Sequence, residues 1–293
     1  MKIGVIGLHG AWSTESLSIQ LKKKGVGGQI VALSEISYDL NEMRFYHEHH
    51  DLQSFDGFIL KKMGKIYTSH LNDQVELLRL IEKMGVKIFS SADKISRIIS
   101  RLSCTIGLRE NNIPMPPTLI TDSSADAAKW VRNNDRVVLK PLYSTKARGM
   151  LVLDNKTNPV RKIKSFMASG QPILYLQKLF DLSGEDYGLV FIGAKYIGAY
   201  ARVGSNSSWN TTTHGGGKYL PYAPPDDIIE LARKAQAPFR LDFTSVDVAI
   251  TKEVGPVVFE VSAFGGYRGL YQACGIDASD LLTDYVIGRI QHG

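Results

Sequence analysis

Asp247 and Glu260 are the two residues of this 293-residue chain whose type and setting ask most plainly for chemistry. Each is the acidic member of a largely apolar, β-forming run, Ser245-Val246-Asp247-Val248-Ala249-Ile250 and Val257-Val258-Phe259-Glu260-Val261-Ser262. A lone carboxylate is expensive to bury, and two on neighbouring strands repel unless a cation lies between them. Magnesium suits such a pair, because it takes one or two carboxylates and completes its shell with water and phosphate oxygens. A pair of solvent-facing acids on an amphipathic hairpin is the alternative, and spacing alone leaves both readings open.

Lys140 closes the apolar run Val137-Val138-Leu139 and opens the turn Pro141-Leu142-Tyr143-Ser144-Thr145-Lys146-Ala147-Arg148-Gly149. Hydroxyls, backbone N–H groups and two further cations make this turn a candidate phosphate cradle; a solvated hairpin tip is the alternative. It is not a P-loop, since no GxxxxGK[ST] occurs and the order strand–loop–strand is wrong for one. Gly4, Gly7 and Gly10 are spaced GxxGxxG, with Gly4 inside the strand, which argues against a dinucleotide site. His47, His49 and His50 have no cysteine or acidic triad to complete a metal set and are expected in a surface loop. His214 lies in Thr211-Thr212-Thr213-His214-Gly215-Gly216-Gly217, which reads either as a loop able to wrap an anionic substrate or as a plain Gly-rich surface loop.

The elements that must position these residues fall into three stretches. Residues 1–92 alternate strand and helix: strands over Lys2 to Leu8, Gln29 to Leu33, Phe55 to Leu60 and Val86 to Phe89, helices over Ser13 to Lys24 and Leu71 to Met84. Such alternation implies a parallel α/β sheet. A helix is expected from Asp93 to Glu110, and the stiff Ile113-Pro114-Met115-Pro116-Pro117 cannot continue it, which marks a boundary. Residues 93–176 then hold the Lys140 hairpin, and residues 177–293 hold antiparallel pairs at 187–192 with 195–202 and at 245–251 with 257–262, closed by a helix over Asp277 to Ile290.

Composition narrows the function classes. The formal charge is +6 and the pI about 9.1, yet the basic residues are dispersed and none of the denser groups is interleaved with aromatics as a nucleic-acid stacking platform would be. No run approaches the roughly 18 to 20 apolar residues that cross a bilayer, and the N-terminus reads as a strand rather than a signal peptide. Nucleic acid and membrane are therefore not expected partners. The isolated Cys104 and Cys274 fit inert core thiols and a reducing cytoplasm.

Lys140 with its small-residue loop, Gln177-Lys178-Leu179-Phe180, Asp247 and Glu260 occur in the order found in ATP-grasp ligases, and the chain resembles the RimK-like branch. The resemblance extends to the segment from Phe55 to Pro117 and is closest at Val258-Phe259-Glu260-Val261-Ser262 followed by Gly265-Gly266. It implies an α/β (α+β) ATP-grasp fold with an N-terminal parallel pre-ATP-grasp domain, a central lid and a C-terminal antiparallel catalytic unit. It also implies an ADP-forming ligase that joins a carboxylate to an amine through an acyl phosphate, adding glutamate or another amino acid to a small molecule, cofactor or peptide. A nucleotide-binding module with a scaffold or regulatory role is the alternative.

Roles follow by position within that resemblance. Lys140 would contact ATP phosphates, with Ser144, Thr145 and Arg148 in a mobile lid above them. Gln177, Lys178, Leu179 and Phe180 would form the adenine hinge, with Asp186 nearby. Asp247, Glu260 and Ser262 would bind Mg2+ (or Mn2+), and Arg202 would face the transferred phosphoryl group. Asn210, His214 and Gly216, in the loop from Trp209 to Gly217, would shape the acceptor site. Relatives are commonly dimers or tetramers, which implies a homo-oligomer. Four departures from the usual pattern imply a divergent subgroup: Arg101 where a lysine is usual, Ser144 and Ala147 where glycines are common, Lys178 for a frequent glutamate, and Ser262 for the metal-binding asparagine.

Overall fold

The computed structural model describes residues 1–48, 50–145, 147–182, 184–204 and 217–292. The chain opens with β1 (Ile3–Ile6), α1 (Trp12–Lys23) and β2 (Gly27–Val31). A small antiparallel sheet follows, β3 (Ile36–Asp39), β4 (Arg44–His47) and β5 (His50–Asp51), where the sequence predicts a polar loop. The Asp39 carboxylate accepts the amides of Asn41 and Glu42, Met43 takes a left-handed φ of 51°, and Phe45 is fully buried. Phe45 and a tight turn hold the hairpin, with Tyr38 stacked on Phe45 and Ile36 packed against the same core. His47 belongs to it, and His49 lies outside the described residues.

With β6 (Gly57–Leu60), α2 (Leu71–Lys83) and β7 (Lys87–Phe89), the first parallel sheet is complete in the order β2-β1-β6-β7. Leu71, Val75, Leu78 and Ile81 bury one face of α2, as their spacing predicts. The helix expected from Asp93 to Glu110 is instead two, α3 (Ala92–Ser96) and α4 (Arg101–Glu110). Ser100 makes the break: its backbone is extended and its hydroxyl accepts the Ser103 amide, so it caps the second helix. Arg101 thereby becomes the first residue of α4 rather than one position along a continuous helix.

Beyond the prolines, β8 (Thr118–Thr121), α5 (Ser124–Arg132), β9 (Arg136–Lys140), β10 (Leu151–Asp154), α6 (Val160–Ala168) and β11 (Leu174–Lys178) form an antiparallel sheet in the order β10-β9-β11-β8. Val137, Leu139, Leu153, Leu174 and Leu176 pack one face onto Ala127 and Val131 of α5 and Ile163 and Phe166 of α6. Alternation then sends Lys140, Tyr175 and Gln177 to the opposite face. β11 runs through to Lys178, so the first hinge residues belong to this sheet.

A third, antiparallel sheet has the order β14-β13-β12-β15-β16, from β12 (Glu185–Ile192), β13 (Lys195–Val203), β14 (Lys218–Pro221), β15 (Phe243–Thr251) and β16 (Gly255–Ser262). Helix α7 (Asp226–Gln236) lies between β14 and β15, and α8 (Arg268–Cys274) and α9 (Ala278–His292) end the chain. One face of the sheet, with Leu189, Phe191, Val246, Val248 and Val261, buries against Ala232 of α7 and Leu108 of α4. The other, with Val190, Ile192 and Phe243, packs with Leu282 and Val286 of α9 and reaches Ile3, Leu17 and Ile59 of the first sheet. Lys24 pairs with Asp280 at 2.8 Å and Asp284 at 2.7 Å, which ties α9 back to the N-terminal unit. Among the described residues no helix is long and apolar enough to cross a membrane.

Lys61, just after β6, fastens the first sheet to the turn beyond β16. Its Nζ donates to the Gly265 carbonyl at 2.7 Å and sits 3.9 Å from the Phe243 ring centroid and 4.6 Å from that of Tyr267. Burial, with Lys62 beside it, pushes the ammonium well below its ordinary value of 10.5, while the ring faces and the carbonyl offset part of that cost. From the lowered folded value up to 10.5 the unfolded chain binds more protons than the folded one. Stability should therefore climb with pH across that window. Lys61→Met should flatten the climb and gain most over wild type at the acid end, as read from urea midpoints at a series of pH values.

Candidate active site

Strand register brings the acidic residues together. Asp186 lies opposite Arg202, Gly188 opposite Asp247, Asp247 opposite Glu260, and Ser245 opposite Ser262, and directly opposed residues share a face. The ladder then skips: Val248 pairs with Val258, leaving Phe259 as the extra residue of a β-bulge. Val258 and Val261 can both stay in the core only because of it, and Phe259 and Glu260 turn to the site in succession. Bulges re-aim side chains in this way next to active sites.

Arg202 is the centre of the charge arrangement. Its Nε reaches both Asp186 carboxylate oxygens, at 3.0 and 3.2 Å, and its Nη2 contacts Asp186 and lies 3.0 Å from Asp247 Oδ1. Burial alone would lower the guanidinium; Asp247 and Asp186 outweigh it and hold it well above its ordinary value. Burial pushes the Asp247 carboxyl up to about 6; Arg202 opposes that rise, while Asp186 and Glu260 add to it. Asp247 and Glu260 thus face each other across one strand pair with more negative charge than Arg202 satisfies, which is the donor set a hard divalent cation takes.

Lys140 faces this sheet from the other. Its Nζ donates to Gln177 Oε1 at 2.5 Å and lies 5.5 Å from the Phe259 ring centroid, where the two walls meet. Gln177 Nε2 in turn donates to Thr118 Oγ1 at 3.1 Å and Tyr175 Oη at 3.3 Å, and the Tyr175 and Thr105 hydroxyls are 2.9 Å apart. Burial lowers the Lys140 ammonium to about 7, Arg101 adds to the shift, and Glu260 opposes it. Two sheets, one offering carboxylates and the other a buried amine, bring together the donor types that a metal–phosphate complex takes.

Residues 100–286, more than half of the chain, match the RimK-like ATP-grasp domain. The chain belongs to the RimK-like ATP-grasp family. It is 22% identical to a tetrahydromethanopterin:α-L-glutamate ligase of Methanococcus maripaludis over 97% of either chain. Its fold is similar to that of a RimK domain ATP-grasp protein from Sphaerobacter thermophilus, with a TM-score of 0.76 and 16% identity over 97% of this chain and 99% of that one. The ATP-grasp ligase PsnB, solved with a variant of its minimal precursor, Mg and ADP, gives a TM-score of 0.75 and 15% identity over 98% of both chains.

In this RimK-like protein Arg101 ties the loop after β9 to the acidic strand. Its backbone N–H donates to the Leu142 carbonyl at 2.8 Å. The side chain donates from Nε to the Pro141 carbonyl at 3.2 Å, from Nη2 to Ser144 Oγ at 3.2 Å, and from Nη1 to Glu260 Oε2 at 3.5 Å. On its far side the loop rests on the N-terminal unit: Asn72 donates to the Tyr143 hydroxyl at 3.0 Å and Arg148 to the Lys65 carbonyl at 3.2 Å. Ala147, where family members commonly carry glycine, adopts a left-handed φ of 58°, the conformation glycine takes most easily.

Several expected site residues have local partners. The Thr145 carbonyl accepts the Arg148 amide at 3.2 Å inside the loop, and Asp186, expected near the nucleotide, grips Arg202. The Lys178 amide donates to the Pro117 carbonyl and the Leu179 amide to the Arg136 carbonyl, both at 2.9 Å, while Phe180 is buried beside them. Ser262 Oγ accepts the Phe264 amide at 3.1 Å and starts the turn into Gly265. Asn210, His214 and Gly216 lie outside the described residues. Sequence reasoning missed Thr105, Thr118, Tyr175 and Phe259. Thr105 was legible as the residue four after Arg101 on one helix, and Tyr175 as the one that alternates with Gln177.

Arg101→Ala removes three side-chain contacts but leaves the backbone bond to Leu142. Amide hydrogen exchange over residues 142–149 should quicken about tenfold, the effect of roughly 1.4 kcal/mol of lost local stability, with the β12–β15 amides unchanged. Equal exchange in variant and wild type would mean that Arg101 does not hold the loop.

Proposed function

We propose that this ATP-dependent ligase joins a carboxylate to an amine through an acyl phosphate, with an amino acid such as glutamate as one reactant and a small molecule, cofactor or peptide as the other. The carrying observation is the opposition of Asp247, Glu260 and Arg202 on one sheet to Lys140 on the next, with Arg101 between them. The α-L-glutamate ligase names of relatives support glutamate as the added amino acid.

A carboxylate and an amine do not condense favourably in water, so the acid must first gain a leaving group, and ATP supplies it. Lys140 and Arg101 hold the phosphates as charged donors. Arg202, fixed by Asp186, faces the phosphoryl group in transfer and then the acyl phosphate, where a pre-set cation stabilises charge without reorganising. Asp247 and Glu260 would hold Mg2+, or Mn2+ in the same oxygen site, with the Ser262 hydroxyl as a weaker third ligand, and a metal held there would neutralise charge on the phosphate oxygens. Ser144, Thr145 and Arg148 close over the phosphates and keep water from the intermediate. With two hinge amides engaged, adenine pairing falls to the Phe180 amide and the strand carbonyls. Asn210, His214 and Gly216 shape the acceptor site. A reducing cytoplasm and a homo-oligomer, dimer or tetramer, complete the reading.

Titration calorimetry with a non-hydrolysable ATP analogue, with and without Mg2+, tests the site. Wild type should bind with a metal-dependent gain, and Asp247→Asn/Glu260→Gln should lose that gain while still unfolding in one cooperative transition. ADP release on adding an acid and an amine then separates a ligase from a nucleotide-binding scaffold. Absence of nucleotide binding by folded wild type would sink the proposal.

Lys140 gives a second test. Phosphate binding favours its ammonium, which titrates near 7 in the free protein. Nucleotide affinity should therefore fall as pH rises through 7 and above, with proton uptake on binding. Lys140→Met should bind about tenfold or more weakly at pH near neutrality and lose this slope.

A further inference from the structure

Arg97, Asn111, Lys234, Ala237, Pro238 and Arg240 line an open cavity of about 610 Å³ at the end of α4 remote from Arg101. Three of the six are cationic and none is acidic. Among the described residues Arg97, Lys234 and Arg240 make no ion pair, whereas their neighbours Lys94 and Arg233 pair with Asp242 and Glu230. Helices α4 and α7 both end here, and a cation at a helix C-terminus gains from the dipole, which accounts for Lys234. It does not account for Arg240, whose φ of 50° is left-handed. Glycine or asparagine suits that conformation after a helix, so an arginine there carries a backbone cost that the helix end does not explain. Arg97 comes from another element, the end of α3, and its Nη1 lies 3.5 Å from the Pro238 carbonyl, which holds it at the same cavity.

We propose that this cavity binds an acidic peptide segment through carboxylates spaced along its chain. A compact anion such as phosphate is best held by converging N–H donors at helix N-termini or nests, and here the helices present their carbonyl ends. A nucleotide base would need a ring to stack on, and no aromatic residue lines the cavity. Three cations from separate elements match separated carboxylates instead. The ten residues of α4 place the cavity about 15 Å from Arg101 at 1.5 Å rise per residue, so occupancy can be measured without nucleotide and independently of the ligase reading.

The test is fluorescence anisotropy of labelled hexaglutamate, with hexaglutamine as the uncharged probe, on the full chain. Wild type should bind hexaglutamate, more weakly as salt rises, and should not bind hexaglutamine. Arg97→Glu/Arg240→Glu should weaken binding about tenfold or more, whereas Arg161→Glu/Lys162→Glu, an equal charge change on the exposed face of α6, should leave it within about twofold. Arg240→Gly relieves the left-handed backbone, so it should melt no lower than wild type and still bind less tightly; this keeps the test clear of misfolding. Equal loss from both reversals would overturn the proposal in favour of attraction to net charge. So would hexaglutamine binding as tightly, or one-for-one displacement by inorganic phosphate.

Discussion

A β-sheet that carries three carboxylates on one face has to find positive charge for them, and Arg202 provides it from within the sheet. Its fork is spent on Asp186 and one oxygen of Asp247, so it is held rigidly and remains charged. What it leaves over is as important. Among the described residues Glu260 pairs with Arg101 alone, at 3.5 Å, and the Asp247 carboxyl is lifted to about 6 by burial. Removing either partner of such a half-buried pair strands a charge, which is far costlier than the pair is worth. The excess negative charge at Asp247 and Glu260 is therefore a stable property of the sheet, and it is the property a divalent cation would complete in the proposed reaction.

Two local irregularities turn this charged sheet into a cleft. The Phe259 bulge lets Glu260 join Asp247 without dragging Val258 or Val261 out of the core, and it sets an aromatic face near Lys140. The break at Ser100 starts a new helix whose first residue, Arg101, can reach the Pro141 carbonyl, Ser144 and Glu260 at once. A regular strand and a continuous helix would each be better by local propensity. Departures from local regularity that persist in a folded chain concentrate where function sets the constraint.

Those same departures divide what the sequence could reveal from what it could not. The sheets were legible because apolar alternation and proline placement act over a few residues, and the order Lys140, Gln177, Asp247, Glu260 carried the family resemblance. The bulge was not, since the apolar residues on both sides of Glu260 fit either face until register shows two residues set against one. The Ser100 cap was visible in residue type, but the apolar run through Ile98 and Ile99 disguised the break. The grip of Asp186 on Arg202 was not legible, because the two lie sixteen residues apart across a hairpin, a distance that no local pattern encodes. The small sheet at β3–β5 was hidden by its histidines, with one buried aromatic, Phe45, holding it.

The two cations that would meet a triphosphate are set in opposite ways. Arg202 is kept charged by two carboxylates, while Lys140 has an amide oxygen as its partner and drifts down to about 7. Arg202 is then part of the fixed field, and Lys140 becomes fully cationic as an anion arrives. Arg101 stands between them, sharing one guanidinium among the loop carbonyl, Ser144 and Glu260. In the proposed reaction phosphate oxygens compete for that same fork. An incoming nucleotide that takes it over loosens the loop and frees a Glu260 oxygen for the metal in one exchange. A lysine at this position could offer its charge to the phosphate but not hold three acceptors in one plane, so in the proposed reaction the arginine would couple release of the loop to completion of the metal site.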